Sequence, residues 1–109
     1  MTDDKDKTKS KGRGSMALQF VYWHIGIDVP ITPSSPLPAM PYIPRGAVVV
    51  VGGRAPIWRY GMALHKLHGS PAGAIAFNDS KLGYIVVASH MLEVAEGQIL
   101  DNAKEKVLD

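Results

Sequence analysis

The chain has 109 residues and no cysteine, and its twelve lysines and arginines outnumber ten aspartates and glutamates, a net charge of +2 that resides in residues 1–15. The lack of cysteine excludes a disulfide framework, zinc sites built from thiolates and a cysteine nucleophile. Because residues 16–109 sum to zero charge, a broad basic face for nucleic acid is excluded as well, and a nucleotide ligand would need a local pocket.

The first fifteen residues, MTDDKDKTKSKGRGS, contain no apolar residue after Met1. Such a segment cannot bury enough surface to offset the entropy of ordering, so we expect a disordered basic tail or an artificial linker. One α/β domain is predicted for residues 16–109. No apolar run approaches a membrane span and the polar start lacks a hydrophobic signal segment, which predicts a cytoplasmic protein that binds neither membrane nor DNA.

The first predicted strand is residues 17–28, ALQFVYWHIGID, which is rich in β-branched and aromatic side chains. Its alternate apolar residues would share one face: Val21, Trp23, Ile25 and Ile27. Residues 29–46 then hold six of the eight prolines, which resist helix interiors and central strands. We therefore expect an ordered or semi-rigid loop after the first strand.

Residues 47–51, AVVVV, are the uninterrupted apolar run expected of a central strand buried on both faces. A helix is predicted from Pro56, which suits a first helical turn, to the stop signals Gly69 and Pro71. Its predicted buried stripe has helical spacing and comprises Ile57, Tyr60, Leu64 and Leu67.

Three short strands are predicted after the helix, at residues 73–77, 84–89 and 98–100. The unit from 47 to 77 is then strand, helix, strand, for which parallel strands are the default. The predicted fold is a single small α/β domain, Rossmann-like, with a mixed sheet and a β-α-β unit.

The connection between the central strand and the helix has the composition of an anion site. Gly52 and Gly53 allow a ligand to approach the backbone, the helix start at Pro56 offers unpaired amides, and Arg54 adds a bidentate phosphate donor. The Lys-Ser/Thr ending of a Walker loop and the full dinucleotide fingerprint are both missing. Taken alone, the segment fits a tight strand-to-helix turn better than a phosphate site.

Two histidines, His65 and His68, lie three positions apart on the predicted helix and are therefore neighbours that could converge on a metal or a substrate. The helix dipole is an adequate structural reason for a histidine in the last turn. The remaining His24 is expected to be a structural or surface residue.

A second group of polar residues is predicted near the ends of the following strands. Asn78, Asp79 and Lys81 occupy the turn, and His90 follows the next strand. Asp79 has an ordinary role in making the turn, and Lys81 an ordinary role as a solvated cation. Combined with the helical histidines, however, a carboxylate, a cation and a third imidazole suit phosphodiester chemistry, in which imidazole or metal polarises the phosphate and transfers protons.

Three segments together resemble a known family: GRAPIWRYGMALHKLHGSP, DSKLGYIVVASH and EGQILD, within about residues 46–101. They are similar to the small CRISPR-associated ring nucleases of type III systems, first described as manganese-dependent RNA deadenylation exonucleases. The resemblance implies a fold related to CRISPR sensor domains, a homodimer, and cyclic tetra-adenylate sandwiched between two dimers in tetramers or stacks. It also implies that the cleavage site is assembled across that sandwich.

The resemblance places the family's key histidine on His68, its acid on Asp79 and its basic residue on Lys81, where the family often has arginine. Lysine keeps the charge but lacks the planar fork of arginine. His90 matches a histidine near bound manganese, so the implied metal ligands are His68, His90 and Glu93. The expected ligand contacts come from the glycine turn, the helix and the strand end: Gly52, Gly53, Arg54, Pro56, His65 and Ser89.

The function these observations favour is a metal-assisted phosphodiesterase that converts cyclic tetra-adenylate to linear di-adenylates and so ends the type III antiviral signal. Two alternatives stay open. One is a sensor that binds the cyclic nucleotide without cleaving it, and the other is a 3′-exonuclease that acts on adenylate-rich linear RNA.

Overall fold

The computed structural model describes residues 18–26 and 31–100. The predicted tail and residues 17, 27 and 28 of the predicted first strand lie outside this range. Six elements are described: β1 (Phe20–His24), β2 (Val48–Gly52), α1 (Ile57–His68), β3 (Ala74–Asp79), β4 (Gly83–Ser89) and β5 (Ile99–Leu100). The predicted elements are all confirmed, with boundaries that differ by four residues at most.

The described strands form one sheet in the order β1-β2-β3-β4-β5. β1, β2 and β3 are parallel, whereas β4 runs antiparallel to both of its neighbours. The predicted mixed sheet and the parallel β2-α1-β3 unit are therefore confirmed. The four valines of β2 are fully buried because α1 covers one face and a second cluster covers the other, as their unbroken apolar run predicts.

Two hydrophobic clusters lie on opposite faces of the sheet. The cluster under α1 includes Trp23, Val49, Val51, Ala63, Leu67 and Ile75. The opposite cluster includes Val48, Val50, Ala74, Ala76, Tyr84 and Val86. Because side chains alternate along a strand, the two clusters also show on which face of the sheet each polar residue at a strand end lies.

The buried side of α1 matches the predicted stripe in part, since Leu67 is buried and Tyr60 and Leu64 pack against the cluster under the helix. Ile57 was predicted to be buried but is 87% exposed, and the fully buried residues of the helix are Arg59, Ala63 and Leu67. The helix is thus rotated so that an arginine, rather than an isoleucine, faces the interior. Hydrophobic periodicity cannot anticipate this rotation, since it assigns a charged residue to solvent.

Arg59 connects three segments of the chain. Its Nε donates to the carbonyl of Ile25 at 2.9 Å, and its two terminal nitrogens donate to the carbonyls of Ser35 and Pro36 at 3.3 and 3.1 Å. These bonds hold the proline-rich loop against β1 and α1. A buried arginine is tolerable here because carbonyl dipoles replace the water that its guanidinium loses.

Replacing Arg59 with methionine is expected to lower the free energy of unfolding by at least about 2 kcal/mol, since three carbonyls lose a charged donor. Urea denaturation measures the change. The matched control is Arg45→Met, because Arg45 is exposed and its replacement should stay within about 0.5 kcal/mol. Equal midpoints for the two variants would show that Arg59 does not stabilise the loop.

Candidate functional site

The glycine turn after β2 is shaped by close backbone packing. Gly53 has φ = +117°, a conformation that favours glycine. A Cβ at Gly53 would lie 2.6 Å from the Gly26 amide nitrogen, and one at Gly26 would lie 2.7 Å from the Arg54 amide nitrogen. The segment after β1 therefore crosses directly over the turn, and packing alone is enough to require glycine at both positions.

This turn is attached to the helix. The Tyr60 hydroxyl donates to the Gly53 carbonyl at 2.7 Å, and the Tyr60 ring meets Phe77 edge-on with 5.0 Å between centroids. Burial raises the pKa of the Tyr60 phenol, and interaction with Tyr22 raises it further, so the hydroxyl stays a donor at neutral pH. The turn is consequently held in a fixed position relative to the first turn of α1.

An exposed cation follows the fixed turn. Arg54 is exposed, and α1 begins after Pro56 without a side-chain cap and without an acidic residue in its first turn. The uncapped amides and the positive end of the helix dipole favour an anion at this place. Together with the guanidinium they provide the donors that a phosphate group would use.

The carboxylate of Asp79 is occupied by the β3–β4 turn. It accepts the amides of Lys81 at 2.8 Å and Leu82 at 2.9 Å. These two hydrogen bonds, led by that of Leu82, lower the pKa of Asp79. The group is therefore ionised at neutral pH and can act as a proton acceptor or a fixed negative charge, but not as a proton donor. The ammonium of Lys81 is exposed beside it.

His24 lies at the same end of the sheet, although the sequence offered no reason to assign it to a site. It pairs in register with Gly52, and its imidazole would be 3.1 Å from a Cβ on Gly53. The carboxyl ends of parallel strands are where open α/β sheets bind ligands. That rule identifies His24 as a neighbour of the glycine turn once the parallel pairing of β1 with β2 is known.

A pair of histidines lies at the opposite end of the sheet. The rings of His68 and His90 have centroids 5.9 Å apart, and both residues are exposed. His90 is anchored by its amide, which donates to the Gly73 carbonyl at 2.8 Å. The structure thus brings together two of the three predicted metal ligands, which come from α1 and from the end of β4.

His65 does not join this pair through a described ring contact. It lies on the outer side of α1 and borders an open cleft of about 570 Å³ between the helix and the proline-rich loop. The cleft is mostly apolar and is lined by Ser35, Pro36, Leu37, Trp58, Gly61, Met62, His65 and Lys66.

Ser89 and Glu93 have different surroundings. The Ser89 hydroxyl donates to the Val94 carbonyl at 2.8 Å and accepts the Met91 amide at 3.2 Å, so it shapes the loop after β4. Glu93 lies in that loop and is exposed. No group of three or more histidine and acidic side chains converges as a metal site in residues 18–26 and 31–100.

The two groups of predicted site residues are separated along β3 and β4. Asp79 pairs with Gly83 at the turn, whereas Ala74 pairs with Ser89 at the far end. Five residues at about 3.3 Å each put roughly 17 Å between these ends. The expectation that His90 would lie with Asn78, Asp79 and Lys81 is therefore wrong for a single chain, because the hairpin carries the end of β4 back to the start of β3.

The comparison with known families decides the chain's membership. The profile of the CRISPR-associated protein family Cas_csx3 matches residues 24–101, more than two thirds of the chain. The chain belongs to the Cas_csx3 family. The matched region begins at the end of β1 and contains both ends of the sheet described above. A CRISPR-associated role follows from membership of Cas_csx3.

None of the helices in the described part of this Cas_csx3 protein is long and apolar enough to cross a membrane.

Proposed function

We propose that this Cas_csx3 protein is a ring nuclease, a metal-assisted phosphodiesterase that cleaves cyclic tetra-adenylate to linear di-adenylates and ends type III CRISPR signalling. One observation carries the proposal beyond family membership. Arg54 and the uncapped start of α1, the candidate phosphate donors, lie at one end of the sheet, and the imidazoles of His68 and His90 lie at the opposite end. A ring held between two copies can contact the glycine-turn end of one copy and the histidine end of the other. A single copy cannot bring both ends to the same ring.

Residues at the glycine turn hold and neutralise phosphates. Arg54 and the uncapped start of α1 donate hydrogen bonds to phosphate oxygens. Lys81 offsets the charge that develops on the phosphate in the transition state. The ionised carboxylate of Asp79, fixed by two backbone amides, accepts a proton or orients the attacking hydroxyl.

The imidazoles at the other end supply proton transfer or metal binding. His68 and His90 are close enough for their exposed rings to face one ion or one phosphate. Two imidazoles fit a shared metal site in part, and manganese also requires oxygen ligands, for which Glu93 and phosphate oxygens are the candidates. When bound, manganese would act as a Lewis acid on the phosphate. If His90, Glu93 and phosphate oxygens hold the ion, the imidazole of His68 is free for proton transfer at the scissile bond, which is the role that we assign to it.

The complete site is composite in this proposal. Because about 17 Å separates the two ends along β3, Asp79 and Lys81 of one copy act with His68 of another. Cyclic symmetry of a four-adenylate ring matches the two-fold symmetry of facing dimers, so equivalent contacts form on both sides of the ring. The ligand therefore promotes assembly of tetramers or longer stacks.

The direct test incubates the purified protein with cyclic tetra-adenylate, with manganese or with chelator, and separates the products. We expect linear di-adenylates with manganese and a strong loss of product with chelator. The product ends distinguish attack by water from attack by a ribose 2′-hydroxyl, which leaves a cyclic phosphate. Preferential degradation of a linear adenylate competitor would favour the exonuclease alternative instead.

One observation favours a second function, binding without cleavage. Both hydrogen bonds that the Asp79 carboxylate makes are typical of a turn that needs an aspartate for structure. If Asp79 has only that role, the protein is a sensor that holds the cyclic nucleotide. Ligand that remains intact after long incubation with equimolar protein, while bound, would support the sensor.

Replacement of Arg54 with alanine is expected to weaken cyclic tetra-adenylate binding at least tenfold, since a charged hydrogen bond contributes roughly 1.5–3 kcal/mol. Isothermal titration calorimetry on the metal-free protein measures this change. Arg45→Ala is the matched control, because Arg45 is an exposed arginine outside the turn. Equal affinities for the two variants would remove Arg54 from the phosphate site.

A further inference from the structure

We infer that Asn78 and Tyr22 form an adenine-recognition pocket on the sheet face opposite α1, an inference that rests on the proposed ring ligand. The side-chain amide of Asn78 lacks a hydrogen-bond partner for its oxygen among the described residues. The Oδ1 atom of Asn78 is buried and accepts no hydrogen bond from any described residue. A buried acceptor of this kind is costly unless a ligand or a water supplies a donor.

The position of Asn78 connects it with the glycine turn. Val51 pairs with Phe77 in the parallel β2–β3 register, so Asn78 lies beside Gly52. Ala74 and Ala76 belong to the cluster opposite α1, and strand alternation places the Asn78 side chain on that same face. The amide is therefore next to the turn that carries Arg54, but on the face that the helix does not cover.

An aromatic ring covers this place. A Cβ on Gly52 would lie 2.9 Å from Tyr22 Cε1 and 3.5 Å from Asn78 Cβ, so the ring of Tyr22 lies across the glycine toward the asparagine. Tyr22 is 42% exposed and meets the buried Tyr84 edge-on at 5.8 Å. Because exposed side chains change rotamer rapidly, Tyr22 can turn outward and present its face to an entering base.

The two side chains fit the N6–N7 edge of adenine. A carboxamide offers an acceptor beside a donor, which matches the N6 amine and the N7 acceptor of adenine. Guanine presents two acceptors on that edge, and pyrimidines lack the second ring. Stacking on Tyr22 adds affinity for any base, so Asn78 provides the discrimination. Arg54 at the adjoining turn then takes the phosphate of the same ligand.

The atom-level test compares cyclic tetra-adenylate with the ring of four 7-deazaadenylates, which lacks only the N7 acceptor. Unaltered protein should bind the deaza ring about tenfold more weakly, the loss expected for half of a bidentate contact. Asn78→Ala should bind both rings with equal, reduced affinity, and Asn78→Asp, which keeps the shape but loses the donor, should behave in the same way. Titration calorimetry without metal measures all affinities.

Tyr22 is tested with a matched control. Tyr22→Leu should weaken binding of both rings by a similar factor of about tenfold, because stacking is not base-specific. Tyr42→Leu, at a tyrosine that is 84% exposed, should leave both affinities unchanged. Thermal melting of each variant verifies folding, and the comparison of the two rings on the unaltered protein needs no variant.

The outcomes separate the pocket from the proposed function. Binding of cyclic tetra-adenylate by unaltered protein with no penalty for the deaza ring would overturn the pocket alone. The same penalty in unaltered protein and in Asn78→Ala would also overturn it, since a direct contact must couple residue and atom. Failure of unaltered protein to bind either ring would overturn the proposed ligand and the pocket together.

Discussion

His68→Ala is expected to cleave cyclic tetra-adenylate at least about 100-fold more slowly than the unaltered protein, because it lacks the group that transfers a proton at the scissile bond. Its affinity for the ring should change little, since the phosphate contacts come from Arg54 and the start of α1. Single-turnover measurement at saturating ligand gives the chemical step, and calorimetry gives the affinity. The two readouts distinguish a catalytic role from a binding role.

The matched control for His68 is Lys66→Ala. Lys66 lies on the same helix, is exposed, and borders the cleft along the proline-rich loop instead of the pair with His90. We expect this variant to keep its single-turnover rate. A His68→Ala protein that is folded and cleaves at the unaltered rate would remove His68 from the chemistry and leave His90 as the remaining candidate at that end.

Much of the fold could be predicted because the decisive signals are local. The run AVVVV has no polar position, so only a strand covered on both faces accommodates it. Pro56 and Gly69 mark the helix ends through backbone chemistry that does not depend on the rest of the protein. The alternation in β1 and the proline-rich loop are likewise properties of short segments.

The features that could not be predicted depend on contacts between distant segments. The burial of Arg59 requires the carbonyls of Ile25, Ser35 and Pro36 to meet at one point. No local pattern contains that information. The orphaned amide of Asn78 and the position of His24 beside Gly53 also arise from strand order and register, which the sequence leaves undetermined.

The sequence names candidate site residues but does not determine their arrangement. Spacing on the helix predicts that His65 and His68 could converge, but the ring contact in the structure is between His68 and His90, and His65 borders the cleft instead. The antiparallel course of β4 then removes these rings from Asp79. The residues that the sequence predicts as one site therefore lie in two groups at opposite ends of the sheet.

Because the proposed site combines residues of two copies, two inactive variants should restore activity when they are mixed. Equal amounts of His68→Ala and Asp79→Ala protein, each nearly inactive alone, are expected to recover about a quarter of the unaltered activity when mixed, by random pairing of facing dimers. Half of the assemblies are mixed, and half of the sites within them combine an intact His68 with an intact Asp79. Cleavage of cyclic tetra-adenylate by the mixture, compared with each variant alone, measures the recovery.

Asp79→Asn should replace Asp79→Ala in a parallel mixture. An asparagine side chain can still accept the turn amides of Lys81 and Leu82, so it removes the charge while retaining the turn. If Asp79→Asn alone is as inactive as Asp79→Ala, and both recover activity equally with His68→Ala, the lost function is that of the carboxylate and not a distorted turn. The double variant His68→Ala/Asp79→Ala, mixed with either single variant, is the control that should remain inactive.

Assembly across the ring also makes activity depend on protein concentration. Specific activity should rise with concentration, and light scattering should detect dimers that become tetramers or longer stacks when cyclic tetra-adenylate binds. A lack of recovery in the mixtures, together with constant specific activity over a wide dilution range and a ligand complex that stays dimeric, would place all catalytic groups within one dimer. In that case the second subunit of the dimer would have to supply the groups that lie about 17 Å away along β3. The mixed variants would then recover cleavage activity only after exchanging subunits before the assay.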